Sequence, residues 1–275
     1  MGIVNATPDS FSDGGLHRSV PSLVGAALRC VEEGAAIIDI GGESTRPGAD
    51  RVDADEQIER VVPFIIELRS CTTTLISIDT TNAAVAEAAL DAGANLINDV
   101  SAGRDDPRML PLAATRGCGL VLMHRRVPPA EDRYSDRYDE TPDYDDVVRD
   151  VGDWLGARAL EAEAAGVARA AIVIDPGLGF GKSVEQNYEL IAGTAKLVGR
   201  GYPVLSAASR KSFIGAVSGV ETPRDRVVGS TAVSVAHALA GVRLFRVHDV
   251  AAHRRAVAVA MAIARSGGAI PRPVG

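Results

Sequence analysis

The sequence predicts one (β/α)₈ barrel, the TIM-barrel fold, that extends as a single domain over residues 1–275. Short β-branched runs alternate with amphipathic helical stretches eight times, and 275 residues is an ordinary length for such a barrel. Runs such as AAIIDI and AAIVID are almost continuously apolar, which suits parallel strands covered on both faces. A doubly wound open sheet is the alternative, but eight consecutive units without a domain boundary favour closure.

Each predicted strand is a short run of β-branched and apolar residues between turn residues. The runs are Ile3–Asn5, Ala36–Gly41, Leu75–Asp79, Asn95–Asp99, Gly119–Met123, Ala171–Asp175, Pro203–Ala208 and Arg243–His248. Because the first run begins at residue 3, we expect no N-terminal hairpin preceding strand one.

The predicted helices repeat their apolar residues three and four positions apart. The second, for example, places Ile58, Val61 and Ile65 on one face. The eight stretches are Pro21–Glu33, Asp55–Arg69, Ala83–Ala92, Pro107–Arg116, Asp146–Ala165, Val184–Gly199, Arg224–Ala240 and Val250–Ala264. Glycine follows several of them, where a helix end needs a left-handed residue.

Composition and charge exclude several classes of protein. Asp and Glu number 36 against 29 Lys and Arg, and the resulting formal net charge of −7 argues against a dedicated nucleic-acid-binding protein. The uncharged and wholly apolar stretch Ala256–Ala264 is too short to span a membrane. Cys30, Cys71 and Cys118 are isolated, as in a reducing compartment, and no targeting signal is recognisable, so we expect a cytoplasmic protein.

Two segments fall outside the alternation of strands and helices. Arg125–Asp146 follows the fifth strand and holds three prolines, many charges and three of the five tyrosines. It is either a lid over the catalytic face or a solvated insertion. The last residues, 266–275, are expected to form a flexible tail.

Polar residues stand at the carboxyl end of every predicted strand, which is the catalytic face of a barrel of this kind. In strand order they are Asn5, the loop Gly41–Arg46, Asp79, Asn98 with Asp99, His124, Asp175, Arg210 with Lys211, and Arg246 with His248. One such residue is usually structural, but eight strand ends that converge on one mouth predict a binding site.

The predicted site has two chemically different halves. Arg210, Lys211, Arg246 and His248 follow strands seven and eight, where barrels commonly bind phosphate, and Arg46 adds a cation from the second loop. The other half offers carboxylate and amide groups that suit the adjacent N–H donors of a flat heterocycle. These are Asp79, Asn98 and Asp175. The pattern therefore predicts a pocket for a nitrogen heterocycle that carries a phosphate ester.

Seven motifs, in order along the chain, resemble the dihydropteroate synthase family. They are NATPDSFSDGG (5–15), GGESTRPG (41–48), SIDT (77–80), INDVS (97–101), DPGLGFGK (175–182), SRKSFIG (209–215) and RVHDV (246–250). The resemblance implies a transferase that joins 6-hydroxymethyl-7,8-dihydropterin pyrophosphate to p-aminobenzoate, with release of pyrophosphate and formation of 7,8-dihydropteroate. The stretch RRVP that follows His124 departs from the family pattern and leaves the shape of that loop open.

The resemblance also implies a role for each matching residue. The pterin would be bound by Asp79, Asn98, Asp175 and Lys211. The pyrophosphate would be bound by Asn5, Arg46, Arg246 and His248, with Asn5 as a ligand of Mg²⁺. The p-aminobenzoate pocket would comprise Phe11, Thr45, Arg46, Pro47, Phe180, Lys211 and Ser212. Asp13 would lie in a mobile first loop.

The family resemblance implies a dissociative displacement at the pterin methylene, with Mg²⁺ as cofactor and no covalent enzyme nucleophile. It further implies competition by sulfonamides and a homodimer, with small molecules rather than nucleic acid or membrane as partners. Two alternatives remain open: a non-catalytic pterin-binding paralogue, and a corrinoid-linked methyltransferase that acts on methyl-folate. Condensation of the two substrates would distinguish the synthase activity from both of these alternatives.

Overall fold

A computed structural model describes residues 1–6 and 19–267, which form eight parallel strands and ten α-helices. The strands are β1 (Gly2–Asn5), β2 (Ile37–Gly41), β3 (Leu75–Asp79), β4 (Leu96–Asp99), β5 (Gly119–Met123), β6 (Ile172–Asp175), β7 (Leu205–Ser206) and β8 (Leu244–Phe245). The helices are α1 (Val20–Glu32), α2 (Ala54–Cys71), α3 (Ala83–Asp91), α4 (Met109–Arg116), α5 (Val147–Ala164), α6 (Val184–Ala192), α7 (Thr194–Val198), α8 (Ser212–Ser218), α9 (Val227–Leu239) and α10 (Val250–Ser266).

The strands close into a barrel in chain order. β1 to β6 form one parallel ladder, and β7 pairs with β8. Two bridges join these sheets: Gly2 pairs with Val247, and Ile174 pairs with Val204. The predicted (β/α)₈ barrel is therefore confirmed, and the open doubly wound sheet is not the fold.

Alternation along each strand divides apolar from polar side chains. In β2 and β3 the outward residues Ile38, Ile40, Ile76 and Ile78 are fully buried beneath the helices and belong to the main apolar core. The intervening positions point into the barrel and are polar near the carboxyl ends. The register places the ends of neighbouring strands at one level, because Gly41 pairs with Asp79 and Asp79 with Asn98. The fold thus gathers the polar strand ends at one mouth.

The structure differs from the predicted elements in three main respects. The stretch Val184–Gly199 is two helices, because Gly193 lies against α5, where an added Cβ would be 2.6 Å from Val148. The segment Ser212–Ser218 is a helix that its short, glycine-interrupted apolar pattern did not predict. Strands seven and eight are only two residues long, since their flanks meet the neighbouring strands through single bridges.

Within the described part of the chain, no helix combines the length and the apolar character needed to cross a membrane.

Candidate active site

A pocket of about 500 Å³ opens at the carboxyl ends of the strands. Most of the residues predicted for the site line it. They are Asn5, Thr45, Arg46, Pro47, Asp79, Lys211, Ser212, Arg246 and His248. Asn98 and Asp175 are buried at the ends of neighbouring strands, and Phe180 lies beside Lys211. Phe11 and Asp13 lie outside the described residues.

Two carboxylates share one arginine at the floor of the pocket. Arg246 donates from Nε to Asp39 and from Nη2 to Asp79, with both distances 2.6 Å. The amide of Asn98 donates to the same oxygen of Asp39 at 3.3 Å. Asp39 was missed by sequence reasoning, although an acid in the middle of the apolar run AAIIDI was a signal. It orients two of the side chains that were predicted to bind substrate.

One carboxylate oxygen of Asp79 is available to accept a hydrogen bond from a ligand. Its Oδ2 accepts from Arg246, whereas its buried Oδ1 has no hydrogen-bond partner among the described residues. Burial raises the pKa of Asp79 to about 7, and Arg246 opposes this rise. An unpaired buried oxygen costs free energy unless a ligand or water satisfies it. The atom is therefore suited to accept an N–H from a bound heterocycle.

The loop after β6 is built around close backbone contacts. Asp175 Oδ1 accepts from the backbone N–H of Gly177 at 2.7 Å, and burial raises the pKa of this carboxyl group. Gly177 has φ +64°, and an added Cβ would lie 1.9 Å from the carbonyl oxygen of His124. Only glycine fits there. The loop then brings the ring of Phe180 to 4.1 Å from the ammonium of Lys211, a cation–π contact.

A buried lysine supports this loop from within. Lys182 Nζ donates to the carbonyl oxygens of Gly177 and Phe180 at 3.0 and 2.8 Å, and lies 3.0 Å from His124 Nδ1. Burial lowers the pKa of Lys182 to about 7 and that of His124 to about 2. His124 is therefore neutral, and it contacts the loop through Lys182. Sequence reasoning missed the role of Lys182, because its contacts depend on the folded loop.

The cationic half of the pocket is smaller than the sequence suggested. Arg210 forms a two-bond ion pair with Asp249, at 2.7 and 3.0 Å. Burial, reinforced by Arg210, lowers the pKa of His248 to about 3, so this side chain is neutral and offers a hydrogen bond instead of a charge. Arg246 is neutralised by its two carboxylates. Lys211, the exposed Arg46 and Arg226, whose guanidinium donates to backbone carbonyl groups, supply the remaining positive charge to an incoming anion.

The side chains around Asn5 suit a metal ion that is bound jointly by protein and substrate better than one that is held by protein ligands alone. No group of three or more His, Cys, Asp or Glu side chains that could hold a metal ion occurs in residues 1–6 and 19–267. Asn5 lines the pocket, and its Oδ1 would be 3.4 Å from a Cβ added at Gly41. One amide oxygen, with water and substrate phosphate oxygens, is a donor set that Mg²⁺ accepts. The residues present thus fit a magnesium ion that arrives with a phosphorylated substrate.

The fold and the pocket together define a TIM-barrel enzyme with a buried acidic floor and a cationic rim. The family model "Pterin binding enzyme" matches residues 1–248, and the chain belongs to that family. Within it, the relatives are dihydropteroate synthases. The Mycobacterium leprae dihydropteroate synthase is 45% identical over 277 residues, which cover 99% of this chain and 95% of that protein.

Solved structures agree with the sequence relatives. The Xanthomonas albilineans dihydropteroate synthase with 4-aminobenzoic acid matches with a TM-score of 0.88 and 45% identity, over 98% of this chain and 93% of that one. The same enzyme with 7,8-dihydropteroate matches at a TM-score of 0.84 and 42% identity, over 98% and 94%. The Yersinia pestis enzyme in a sulfonamide complex matches at 0.88 and 39%, over 97% and 94%. The predicted family is confirmed.

Proposed function

We propose that the chain condenses 6-hydroxymethyl-7,8-dihydropterin pyrophosphate with p-aminobenzoate to give 7,8-dihydropteroate and pyrophosphate. The observation that carries the proposal is the buried Oδ1 of Asp79, which has no hydrogen-bond partner among the described residues and lies at the same barrel mouth as Asn98, Asp175 and Lys211. Such a floor suits a flat heterocycle with adjacent N–H donors. The relatives solved with 4-aminobenzoic acid and with 7,8-dihydropteroate support the same reaction.

In this proposal the pterin lies at the floor of the pocket. Asp79 and Asp175 accept from its N–H groups, Asn98 contributes its amide, and Lys211 donates to an acceptor of the ring. Because these carboxylates are buried, their interactions with a developing positive charge are screened less than they would be in water. The acidic floor therefore stabilises a cationic pterin methylene.

The C–O bond between the methylene and the pyrophosphate breaks first, and its electron pair leaves with the pyrophosphate. Arg46 and Lys211 stabilise the departing anion, while the ion-paired Arg246 and neutral His248 offer hydrogen bonds. The nitrogen of p-aminobenzoate then attacks the methylene, and its proton passes to the released pyrophosphate or to water. When bound, Mg²⁺ neutralises charge on the pyrophosphate, and Asn5 would hold it. No enzyme nucleophile takes part.

The second substrate occupies the outer part of the pocket. Its predicted wall combines the loop after β2, the loop after β6 and the start of α8. The described residues of that wall are Thr45, Arg46, Pro47, Phe180, Lys211 and Ser212. Sulfonamides present an arylamine of the same shape, so we propose that they compete with p-aminobenzoate. The sulfonamide complex of the Yersinia pestis relative supports this.

The assay for this function uses purified protein, both substrates, and reactions from which either substrate or Mg²⁺ is omitted. We expect 7,8-dihydropteroate, identified by mass spectrometry, only when both substrates are present, and at least about tenfold slower without Mg²⁺, because the pyrophosphate charge is then balanced by side chains alone. Tight pterin binding without product would instead identify a non-catalytic paralogue.

We also propose a cytoplasmic homodimer. The three cysteines are free, as a reducing compartment requires. The packed helices α9 and α10 expose apolar side chains: Val259 and Ile263, one turn apart on α10, are 61% and 69% exposed, and Val228 on α9 is 77% exposed. A partner copy would cover such a surface.

Sedimentation velocity tests the homodimer. Wild-type protein is expected to sediment at twice the mass of one chain. A variant with Val259→Asp and Ile263→Glu is expected to sediment as a monomer, because both charges would be buried in the interface. The matched substitution Ile66→Glu, at an exposed apolar residue on α2, should leave the dimer intact. A wild-type monomer at micromolar concentration would contradict the proposal.

A further inference from the structure

The long segment between β5 and α5, residues 125–146, is attached to the loop after β6. Asp132, which is buried, accepts from the backbone N–H of Gly181 at 3.0 Å, and Tyr144 donates to the carbonyl oxygen of Gly181 at 2.9 Å. Ser135, also buried, accepts from the amide of Asn187 at 3.0 Å. These contacts anchor the segment to the barrel mouth, although many of its other residues are exposed.

The same segment is attached to the loop after β2. The backbone N–H of Gly48 donates to the carbonyl oxygen of Pro129 at 2.8 Å. Arg125 pairs with Asp105 at 2.5 Å, and Asp105 also pairs with Arg51. Residues 125–146 thus connect the two loops that carry the predicted wall of the p-aminobenzoate site.

Tyr134 is the residue that this attachment places at the pocket. It stands between the two buried anchors Asp132 and Ser135, and it lines the same pocket as Pro47, Gly179 and Ser212. The guanidinium of Arg137 lies 5.4 Å from the centre of its ring. The side chain remains 36% exposed, in a chain with few aromatic residues. A half-exposed ring that is held at the edge of a pocket is suited to contact another flat ring.

The chemistry of the proposed reaction sets the direction of the arylamine. Its nitrogen must reach the pterin methylene near the floor of the pocket, so the opposite end of its ring points toward the mouth. Tyr134 lines the mouth. We propose that the Tyr134 ring contacts the outer end of the arylamine ring and is a specificity-determining residue for the second substrate. This inference rests on the proposed function.

Steady-state kinetics with Tyr134→Ala and Tyr134→Phe test the inference in the full chain. In Tyr134→Ala we expect the KM for p-aminobenzoate to rise about fivefold, because an aromatic contact is lost. The KM for the pterin pyrophosphate and kcat should stay within twofold, since the floor of the pocket is untouched. Tyr134→Phe retains the ring and should match wild type.

Arg133→Ala is the matched control within the same segment. Arg133 is exposed, and within residues 1–6 and 19–267 its side chain pairs only with the exposed Asp139 and does not line the pocket. It should leave all three constants unchanged. Equal changes in both KM values, an effect of Arg133→Ala as large as that of Tyr134→Ala, or an unchanged p-aminobenzoate KM in Tyr134→Ala would overturn the inference. If wild-type protein forms no dihydropteroate, the proposed function fails instead, so the two failures are distinguishable.

Discussion

Replacing Lys211 with alanine is expected to lower kcat/KM by about 10²- to 10³-fold, the usual effect of removing a positioned donor from a catalytic pocket. Lys211 lies directly before α8, over the ring of Phe180, and faces Asp175 and Asp79. Burial and Arg246 lower its pKa to about 8, so it is largely an ammonium at neutral pH. The variant loses a donor to the pterin and a charge next to the departing anion at once.

The chain offers a matched control for this substitution. It has only three lysines, of which Lys196 is exposed on α7 and is not one of the residues that line the pocket. Lys196→Ala should retain activity within twofold, and both variants should melt within a few degrees of wild type. Activity of Lys211→Ala within threefold of wild type would show that the pocket does not work as proposed.

Replacing Arg246 with alanine is expected to lower the free energy of unfolding at pH 8 by about 3–5 kcal/mol, because two carboxylates are then left buried without a cation. Arg246 bridges Asp39 and Asp79, which are 0% and 5% exposed. The measurement is equilibrium unfolding in urea. Arg149 also pairs with two aspartates, Asp145 and Asp150, but is 55% exposed, and its alanine variant should lose less than about 1 kcal/mol.

The loss in the Arg246 variant should depend on pH in a defined direction. The pKa of Asp79 is raised in the folded protein from 3.8 to about 7, so between these values the folded state binds more protons than the unfolded state. Stability from this group therefore falls as pH rises through that window. Without Arg246 the pKa of Asp79 rises further, and the deficit relative to wild type should be larger at pH 8 than at pH 5. A larger deficit at pH 5, or equal losses in the two arginine variants, would contradict the ion-pair network.

The barrel and most of its mouth could be predicted from the sequence because their signals are local. Apolar runs mark strands, and the residue that ends a parallel strand must lie at the carboxyl edge of the barrel. Asn5, Asp79 and His248 were placed correctly at the mouth by this reasoning alone. The helix break at Gly193 was missed, since it depends on the approach of Val148 from another helix.

The electrostatics of the pocket could not be predicted in the same way. The charge state of the rim depends on pairs between distant parts of the chain, such as Arg246 with Asp39, 207 residues apart, and Arg210 with Asp249. Sequence reasoning counted each Arg and His as a free cation. Burial and pairing offset most of that charge, and Lys211 remains as a half-buried cation that faces Asp175 and Asp79.

The proposed condensation is tested most directly by quantifying both products from one reaction with purified protein. Pyrophosphate and 7,8-dihydropteroate are measured together over time, with both substrates and Mg²⁺ present, and a parallel reaction supplies methyl-folate with a corrinoid acceptor. The expected result is equal molar amounts of the two products and no methyl transfer. Pterin binding without either product, or transfer of a methyl group from methyl-folate, would contradict the proposed function.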